Sequence, residues 1–245
     1  MTVAQKLPCL VEQIINHGEQ VYTVILHPVR PVPKFRPGQF LHLALDVYDA
    51  SGFWPESRVF SIASSPMHRD RLRITYSVRG RFTARMENEL SEGGHVWIKL
   101  PYGEFVMKNI GDVVLFAGGT GITAFTAYLE CLTPGSKQTV YLAYGARSSD
   151  LLIYRDMIQN RARTTPFLKV AYFVERNDGS RSLTEESGQP DHIGCLSVAA
   201  IWPIIQRPHE STFYLSGPPA MLRGVSQDLR SMGISAEAIK VDAWE

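Results

Sequence analysis

Residues 58–62 read Arg-Val-Phe-Ser-Ile and alternate like a strand, placing Arg58, Phe60 and Ile62 on one face. A guanidinium, an aromatic ring and a hydroxyl within four residues would seat a flat, anionic cofactor. An edge strand with a solvated arginine and a core phenylalanine would use the same residues. A second anion-binding pattern follows the apolar run "VVLFA", where Gly118-Gly119-Thr120-Gly121 leads into "ITAF". Glycines there let a strand turn tightly into a helix, whose free amides can meet a pyrophosphate. No lysine follows, so this is not the phosphate loop of a nucleoside triphosphatase, and the spacing is not that of G-x-G-x-x-G. Dinucleotide binding is favoured. A third pattern is "RGRFTARMENEL", a glycine turn into a helix start with Thr83 near its N-terminus. Arg58, Arg79 or Arg81 would reinforce an anion there; a threonine cap among solvated arginines is the plainer alternative.

These residues need two kinds of scaffold. Before residue 110 come short alternating segments, "CLVEQIIN", "VYTVILHP", "QFLHLALDV", "RVFSIASS", "LRITYSV" and "HVWIKL", separated by turns such as Pro37-Gly38 and Gly93-Gly94. One helix, about Phe82 to Leu90, interrupts them. The pattern predicts an antiparallel Greek-key β-barrel over residues 1–109. From residue 110 strands and helices alternate, "DVVLFAG", "ITAFTAYLECL", "QTVYLAYG", "LLIYRDMIQNRA", "LKVAYFV", "LSVAAIWPII", "TFYLSG", "AMLRGVSQDLRSMG" and "IKVDAW". That rhythm predicts a doubly wound α/β domain over 110–245 with a five-stranded parallel sheet.

The chain of 245 residues, 44% hydrophobic and 20% charged, suffices for two domains with cores of their own. A net charge of +1 gives no global attraction to nucleic acid or an anionic membrane. Cys9, Cys131 and Cys195 are widely spaced, so neither a disulfide framework nor a metal or iron–sulfur site is expected. The N-terminus lacks the apolar run of a signal peptide, and no stretch is apolar enough to span a bilayer. A cytoplasmic protein is expected.

The chain resembles the ferredoxin–NADP reductase superfamily over nearly its whole length. The family's R-x-[YF]-S appears as "RVFS", its G-x-[FV]-[ST] turn as "GRFT", its glycine run as "GGTGITA" and its C-G-P-x-x-M as "SGPPAM", in family order. The resemblance implies FAD on the barrel and NAD(P)H on the α/β domain. Arg58 would pair with the FAD pyrophosphate, Phe60 would pack on the isoalloxazine or ribityl chain, and Ser61 would hydrogen-bond near flavin N5. Val59, Ile62, Tyr76 and Val78 would flank them, and Gly80, Arg81, Phe82 and Thr83 would complete the pyrophosphate site. Gly118, Gly119, Thr120, Gly121, Ile122 and Thr123 would hold the nicotinamide dinucleotide, with Ser216, Gly217, Pro218 and Met221 near its reactive ring. Ser61 and Ser216 thus stand as the catalytic candidates. "PYGEF" resembles the structural turn after the family's last barrel strand.

Three departures bear on function. Ala124 stands where relatives commonly carry proline, a modest change in helix entry. Ser216 stands where they carry cysteine, and loss of the sulfur is expected to slow hydride transfer. Trp244 lies near the place of a terminal aromatic over the flavin, but would serve equally as a cap on the nucleotide domain. Glu175-Arg176 after "VAYFV" favours NADH, because an acidic group accepts from the ribose hydroxyls and repels a 2′-phosphate. Arg147 after "YLAYGA" pulls the other way or reaches the pyrophosphate instead, and a solvated Glu175-Arg176 turn that touches no cofactor is the plainer alternative.

The expected activity is hydride transfer from NAD(P)H to FAD, with electrons passed to a separate carrier protein or oxygenase component. A stand-alone flavin reductase and a non-catalytic flavin-binding subunit are the alternatives. Retention of the arginine and the phosphate-type turn favours the first, and the paired dinucleotide motifs count against the third.

Overall fold

The computed structural model describes residues 3–107, 111–136, 138–176 and 192–242. The chain divides into two compact units, Met1–Val106 with Thr126–Glu130, and Met107–Phe125 with Cys131–Glu245.

The first unit is built on six antiparallel strands, β1 (Gln5–Asn16), β2 (Val21–Pro28), β3 (Phe40–Ala44), β4 (Ser57–Ser61), β5 (Leu72–Ser77) and β6 (His95–Tyr102). Their spatial order is β4-β3-β6-β1-β2-β5, so β6 returns between β1 and β3 in Greek-key fashion. The two ends of the sheet approach each other, where the Ala63 amide just past β4 donates to the Arg73 carbonyl of β5 at 2.8 Å. This leaves the barrel nearly closed and shields strand edges that would otherwise offer unpaired backbone groups. Alternation fills the interior with Leu7, Val24, Leu41, Ile74 and Ile98, all buried. Helix α1 (Arg81–Glu89) follows β5 and buries Phe82 and Met86, four residues apart on one helical face.

The second unit is a six-stranded parallel sheet, one strand more than expected. Its strands are β7 (Val113–Gly118), β8 (Val140–Ala146), β9 (Leu168–Val174), β10 (His192–Ile193), β11 (Thr212–Ser216) and β12 (Ile239–Asp242). The additional strand is β10, whose two residues pair with the end of β9 and are too short to show any periodicity. β7 and β11 read as continuous apolar runs because helices and neighbouring strands bury both faces of a parallel sheet. The connecting helices are α2 (Thr123–Cys131), α3 (Arg155–Thr164), α4 (Val198–Ile201) and α5 (Pro219–Ser231). "LSVAAIWPII" yields only the single turn of α4 before a 3-10 turn at Trp202–Ile204. Pro203 has no amide to continue an α-helical ladder.

Asp112, 1% exposed, fastens the amino ends of three strands. Its carboxylate accepts both from the Thr139 amide at 2.9 Å and from the Arg207 guanidinium at 3.1 Å, and its carbonyl accepts from the Thr212 amide. Among the described residues no helix is long and apolar enough to cross a membrane, and no cluster of three or more His, Cys, Asp or Glu residues could hold a metal.

Order across the sheet is β10-β9-β8-β7-β11-β12. The chain builds outward from β7 through β8, β9 and β10, then returns to lay β11 on the other side of β7. A topological switch point therefore lies between β7 and β11, and ligands of such sheets bind beyond the carboxyl ends of the strands there.

Candidate functional site

On the barrel, β4 and the start of α1 come together. Arg58 is exposed and its guanidinium carbon stands 5.7 Å from the centre of the Phe82 ring. It donates only to the neighbouring Ser57 carbonyl, at 3.2 Å, and no carboxylate among the described residues pairs with it. Its neighbours differ: Arg81 pairs with Glu56 at 3.0 Å, and Arg85 with Asp46 and Glu89, each at 2.9 Å. An unpaired arginine beside a helix start is the kind of group that pairs with a bidentate anion.

The helix start is shaped by Thr83. Its hydroxyl accepts from the amides of Arg79 (2.9 Å) and Gly80 (3.1 Å) and lies 3.1 Å from the Gly80 carbonyl, to which it donates. The hydroxyl is thereby occupied in building the turn. The first-turn amides of Arg81, Phe82 and Thr83 have no side-chain cap from Gly80 and no partner among the described residues, as is common for first-turn amides of a helix. A Cβ built at Gly80 would meet nothing within 4 Å, so the approach to these amides is open. The residues present fit a dinucleotide pyrophosphate.

The rest of β4 is graded from solvent to core. Phe60 is half-buried, packed against the barrel interior and edge-on to Tyr76 at 6.2 Å. The Ser61 hydroxyl is half-buried and has no partner among the described residues. Val59 is half-buried, as is Val78 just past β5. Ile62 is 1% exposed and belongs to the core, so its side chain has no free surface for a ligand. Tyr76 is 4% exposed and stacked on Tyr22 at 5.5 Å, and burial, followed by the charges of Tyr22 and Glu87, pushes its phenol above the usual range. Tyr22 in turn donates to Glu87 of α1 at 2.8 Å, tying the helix to β2. Tyr22 carried no signal in the sequence.

In the second unit, the two glycine motifs meet at the switch point. β7 ends at Gly118 and passes through a 3-10 turn, Gly119–Ile122, into α2, while β11 ends at Ser216 and turns through Gly217-Pro218 into α5. The turns touch backbone to backbone. A Cβ at Gly121 would lie 2.3 Å from the Ser216 carbonyl oxygen, and one at Gly217 would lie 2.9 Å from the Gly118 nitrogen. A Cβ at Gly118 would strike the Met221 sulfur at 2.6 Å and Pro218 at 2.8 Å. The glycines are thus required by close approach, and Met221 and Pro218 form the wall they approach. Gly119 differs, with a φ of +53° and open space beside it. Thr120 is half-buried, and its carbonyl accepts from the Thr123 hydroxyl at 2.8 Å, while Ile122 is anchored in the core.

Ser216 is buried and its hydroxyl donates to Asp242 of β12 at 3.0 Å. Asp242 was not singled out by the sequence, since 26 positions separate it from its partner. Arg147, Glu175 and Arg176 are exposed beyond the carboxyl ends of β8 and β9. Strand pairing continues there, through Glu175 N–H to the Ala146 carbonyl (3.1 Å) and Arg176 N–H to the Arg147 carbonyl (2.9 Å). Trp244 lies outside the described residues.

Residues 115–227 match the oxidoreductase NAD-binding domain family. The chain is 24% identical over 237 residues to a flavohemoprotein of Rhizobium meliloti (strain 1021), covering 93% of this chain and 57% of that protein. It is 27% identical over 240 residues to the propane 2-monooxygenase reductase component of Rhodococcus jostii (strain RHA1), covering 92% and 60%. The chain therefore spans less than two thirds of these relatives. In fold it is similar to the Amycolatopsis cytochrome P450 reductase GcoB, with a TM-score of 0.81 at 20% identity over 99% of this chain and 70% of that one. The barrel, the switch point with its glycine turns, and these likenesses agree on the fold: an antiparallel barrel followed by a parallel α/β unit, as in these reductases, with residues 115–227 matching the oxidoreductase NAD-binding domain family.

Proposed function

We propose that the protein is an FAD-dependent oxidoreductase that takes a hydride from NAD(P)H, preferring NADH, and passes electrons to a separate carrier protein or oxygenase component. The observation that supports it most is the pair of anion cradles, each built differently. One is the open start of α1 beside the unpaired Arg58, and the other is the jammed glycine turn at the β7/β11 switch point. The proposed domain limits are 1–109 for the flavin and 110–245 for the nicotinamide dinucleotide, and the proposed location is the cytoplasm.

When bound, the flavin supplies two-electron acceptance and one-electron release, chemistry no side chain of the chain offers. The chain's own residues bind and orient. Arg58 and the amides of Arg81, Phe82 and Thr83 neutralise the flavin pyrophosphate, Phe60 offers an apolar face, and Ser61 offers an unpaired hydroxyl to the ring edge. Gly118 to Thr123 give the nicotinamide dinucleotide close access to backbone. Ser216, with its proton directed to Asp242, presents oxygen lone pairs to the nicotinamide side. No acid or base is required, because a hydride moves without a separate proton transfer. A separate acceptor is supported by the relative that is a monooxygenase reductase component.

The test is anaerobic addition of NADH to the purified protein. Bleaching of a co-purified yellow cofactor is expected, and reoxidation by a candidate carrier or oxygenase component, faster than by free flavin, supports the acceptor. A colourless protein that gains no absorbance with added FAD would overturn the reading, and faster turnover of free flavin would make it a flavin reductase.

A further inference from the structure

One face of the parallel sheet carries Tyr141 and Ala143 of β8 and Ala171 and Phe173 of β9, and packs with Val198 and Ile201 of α4. α4 is a single turn, and Pro203 ends its helical ladder two residues after Ile201. The two alanines stand low on the sheet. A short helix over short side chains leaves space above the amino ends of β8 and β9, where a cavity of about 670 Å³ opens. Ligand sites commonly span roughly 300–1,000 Å³. Its walls are mostly apolar, with Pro166 and Phe167 ahead of β9 and Ile201 and Ile204 from α4 and the turn after it.

Two polar side chains reach this apolar space. Tyr141 and Lys169 are register partners on β8 and β9, so their side chains leave the sheet on the same face. Tyr141 is 2% exposed. Its hydroxyl accepts from the Gln206 amide at 3.1 Å, and its own proton has no acceptor among the described residues. A buried hydroxyl has a donor as well as lone pairs to satisfy, and leaving the donor unmet is costly. Lys169 is exposed at the rim, and no carboxylate among the described residues pairs with its ammonium. A hydroxyl donor beside a cation selects an acceptor that carries negative charge. No carboxylate of the described residues lines the cavity to supply one.

We infer that this cavity is a second ligand site, separate from any dinucleotide site, and that it takes an aromatic monocarboxylate. The carboxylate accepts from the Tyr141 hydroxyl inside and meets the Lys169 ammonium at the rim. The ring body displaces water from Phe167, Ile201 and Ile204. A rigid ring suits the walls better than a flexible chain, because less freedom is lost on binding. His192, also on the wall, is itself held in place by stacking on Phe173 at 4.6 Å. Arg147 and Glu175 follow the opposite, carboxyl ends of the same two strands. They stand roughly 20 Å from Tyr141 and Lys169 along the sheet.

The full-length protein is titrated calorimetrically with 2-naphthoate and with its uncharged amide, 2-naphthamide. The acid is expected to bind about fivefold more tightly than the amide, the top of the range for an ion pair open to water. Lys169→Met is expected to remove that difference by weakening the acid alone. Tyr141→Phe is expected to weaken both ligands, since both offer an acceptor. That change also strips the Gln206 amide of its acceptor, so a second variant tests the volume without touching the core. Ala200 is exposed on the cavity wall, and Ala200→Trp is expected to abolish binding of both ligands at an unchanged urea midpoint. Saturating NAD+ is expected to leave the acid's affinity as it was. Absence of naphthoate binding, equal affinity for acid and amide, or displacement by NAD+ overturns the inference. So does a naphthoate affinity that neither Lys169→Met nor Ala200→Trp alters, since the acid then binds elsewhere.

Discussion

Ser216 and Asp242 face each other across the β11–β12 register, and the serine hydroxyl donates to Asp242 Oδ2 at 3.0 Å with the residues 4% and 5% exposed. A carboxylate can only accept, so the serine proton is committed to β12 and the Oγ lone pairs face elsewhere. A thiol at the same place would be a weak donor to the same carboxylate. The serine that stands where the resemblance implies a cysteine therefore has a partner that fixes its polarity.

Ser216→Ala removes a hydrogen bond to a buried charged group, and is expected to cost about 1.5–3 kcal/mol of stability in urea unfolding. Stopped-flow reduction of bound flavin by NADH is expected to slow about fivefold, with a smaller change in NADH affinity. Asp242→Asn, which keeps an acceptor for the serine, is expected to lie between Ser216→Ala and the wild type. A Ser216→Ala protein altered only in NADH affinity would show that Ser216 contributes uniform binding and nothing to the reaction.

Gly121 and Gly119 sit two residues apart and are glycine for different reasons, which their alanine variants should separate. At Gly121 the new Cβ would fall 2.3 Å from the Ser216 carbonyl oxygen, a clash between backbones that no side-chain rotation relieves. Gly121→Ala is expected to cost about 3 kcal/mol, the upper part of the overpacking range, and to lose nucleotide binding. Gly119 has open space and a φ of +53°, so Gly119→Ala meets only the left-handed backbone penalty, about 1–2 kcal/mol. Urea midpoints and NADH titration compare the two. Equal stability losses would mean that the two turns do not touch as described.

Much of this was legible in the residues because it is local. Alternation located β4, and the helix expected at Phe82 to Leu90 is α1 at Arg81–Glu89. The glycine runs announced strand-to-helix turns. What the sequence could not show was which turns touch. That Gly121 must be glycine follows from Ser216, far along the chain, and no spacing rule links Ser216 to Asp242. The face assignment of β4 also fails at its end: Ile62 lies beyond the last strand residue and turns into the core, while Arg58 stays in solvent. The cavity beside Tyr141 was silent because its walls come from β8, β9 and α4, which are far apart in the chain and ordinary when read one at a time.

Two barrel histidines carry a pH dependence. Burial lowers the pKa of His17, which is hydrogen-bonded to Thr23 at 2.9 Å, and lowers that of His42, where the charge of Lys99 adds to burial. In the unfolded chain each takes a proton near the ordinary histidine value of about 6.5. Below that value the unfolded state binds more protons than the folded one, so stability falls as pH falls through about 6.5. Denaturant midpoints are expected to be lower at pH about 5.5 than at about 7.5, with a smaller difference in a His17→Gln, His42→Gln double variant. An unchanged difference in that variant would assign the pH dependence to other groups.

Selection of NADH over NADPH is expected to centre on Glu175. β8 and β9 continue to pair through Glu175 and Arg176, so Glu175 stands on ordered backbone beyond the carboxyl end of the sheet. It is exposed, and its carboxylate has no ion-pair partner among the described residues. An unneutralised carboxylate there accepts from ribose hydroxyls and repels a 2′-phosphate, which is also an anion. Arg176 follows Glu175 and pairs through its backbone with Arg147 on β8's side, and both arginines favour a phosphate, so the net choice rests on whether the carboxylate outweighs them. We expect kcat/KM to favour NADH by about tenfold, or roughly 1.4 kcal/mol, and Glu175→Ser to bring the two nucleotides close to parity. Both changes should appear mainly in KM, because the adenosine ribose lies far from the reacting ring. Equal or better use of NADPH by the unmodified protein would sink the preference. A ratio that Glu175→Ser leaves untouched would keep the preference and move its cause to another residue.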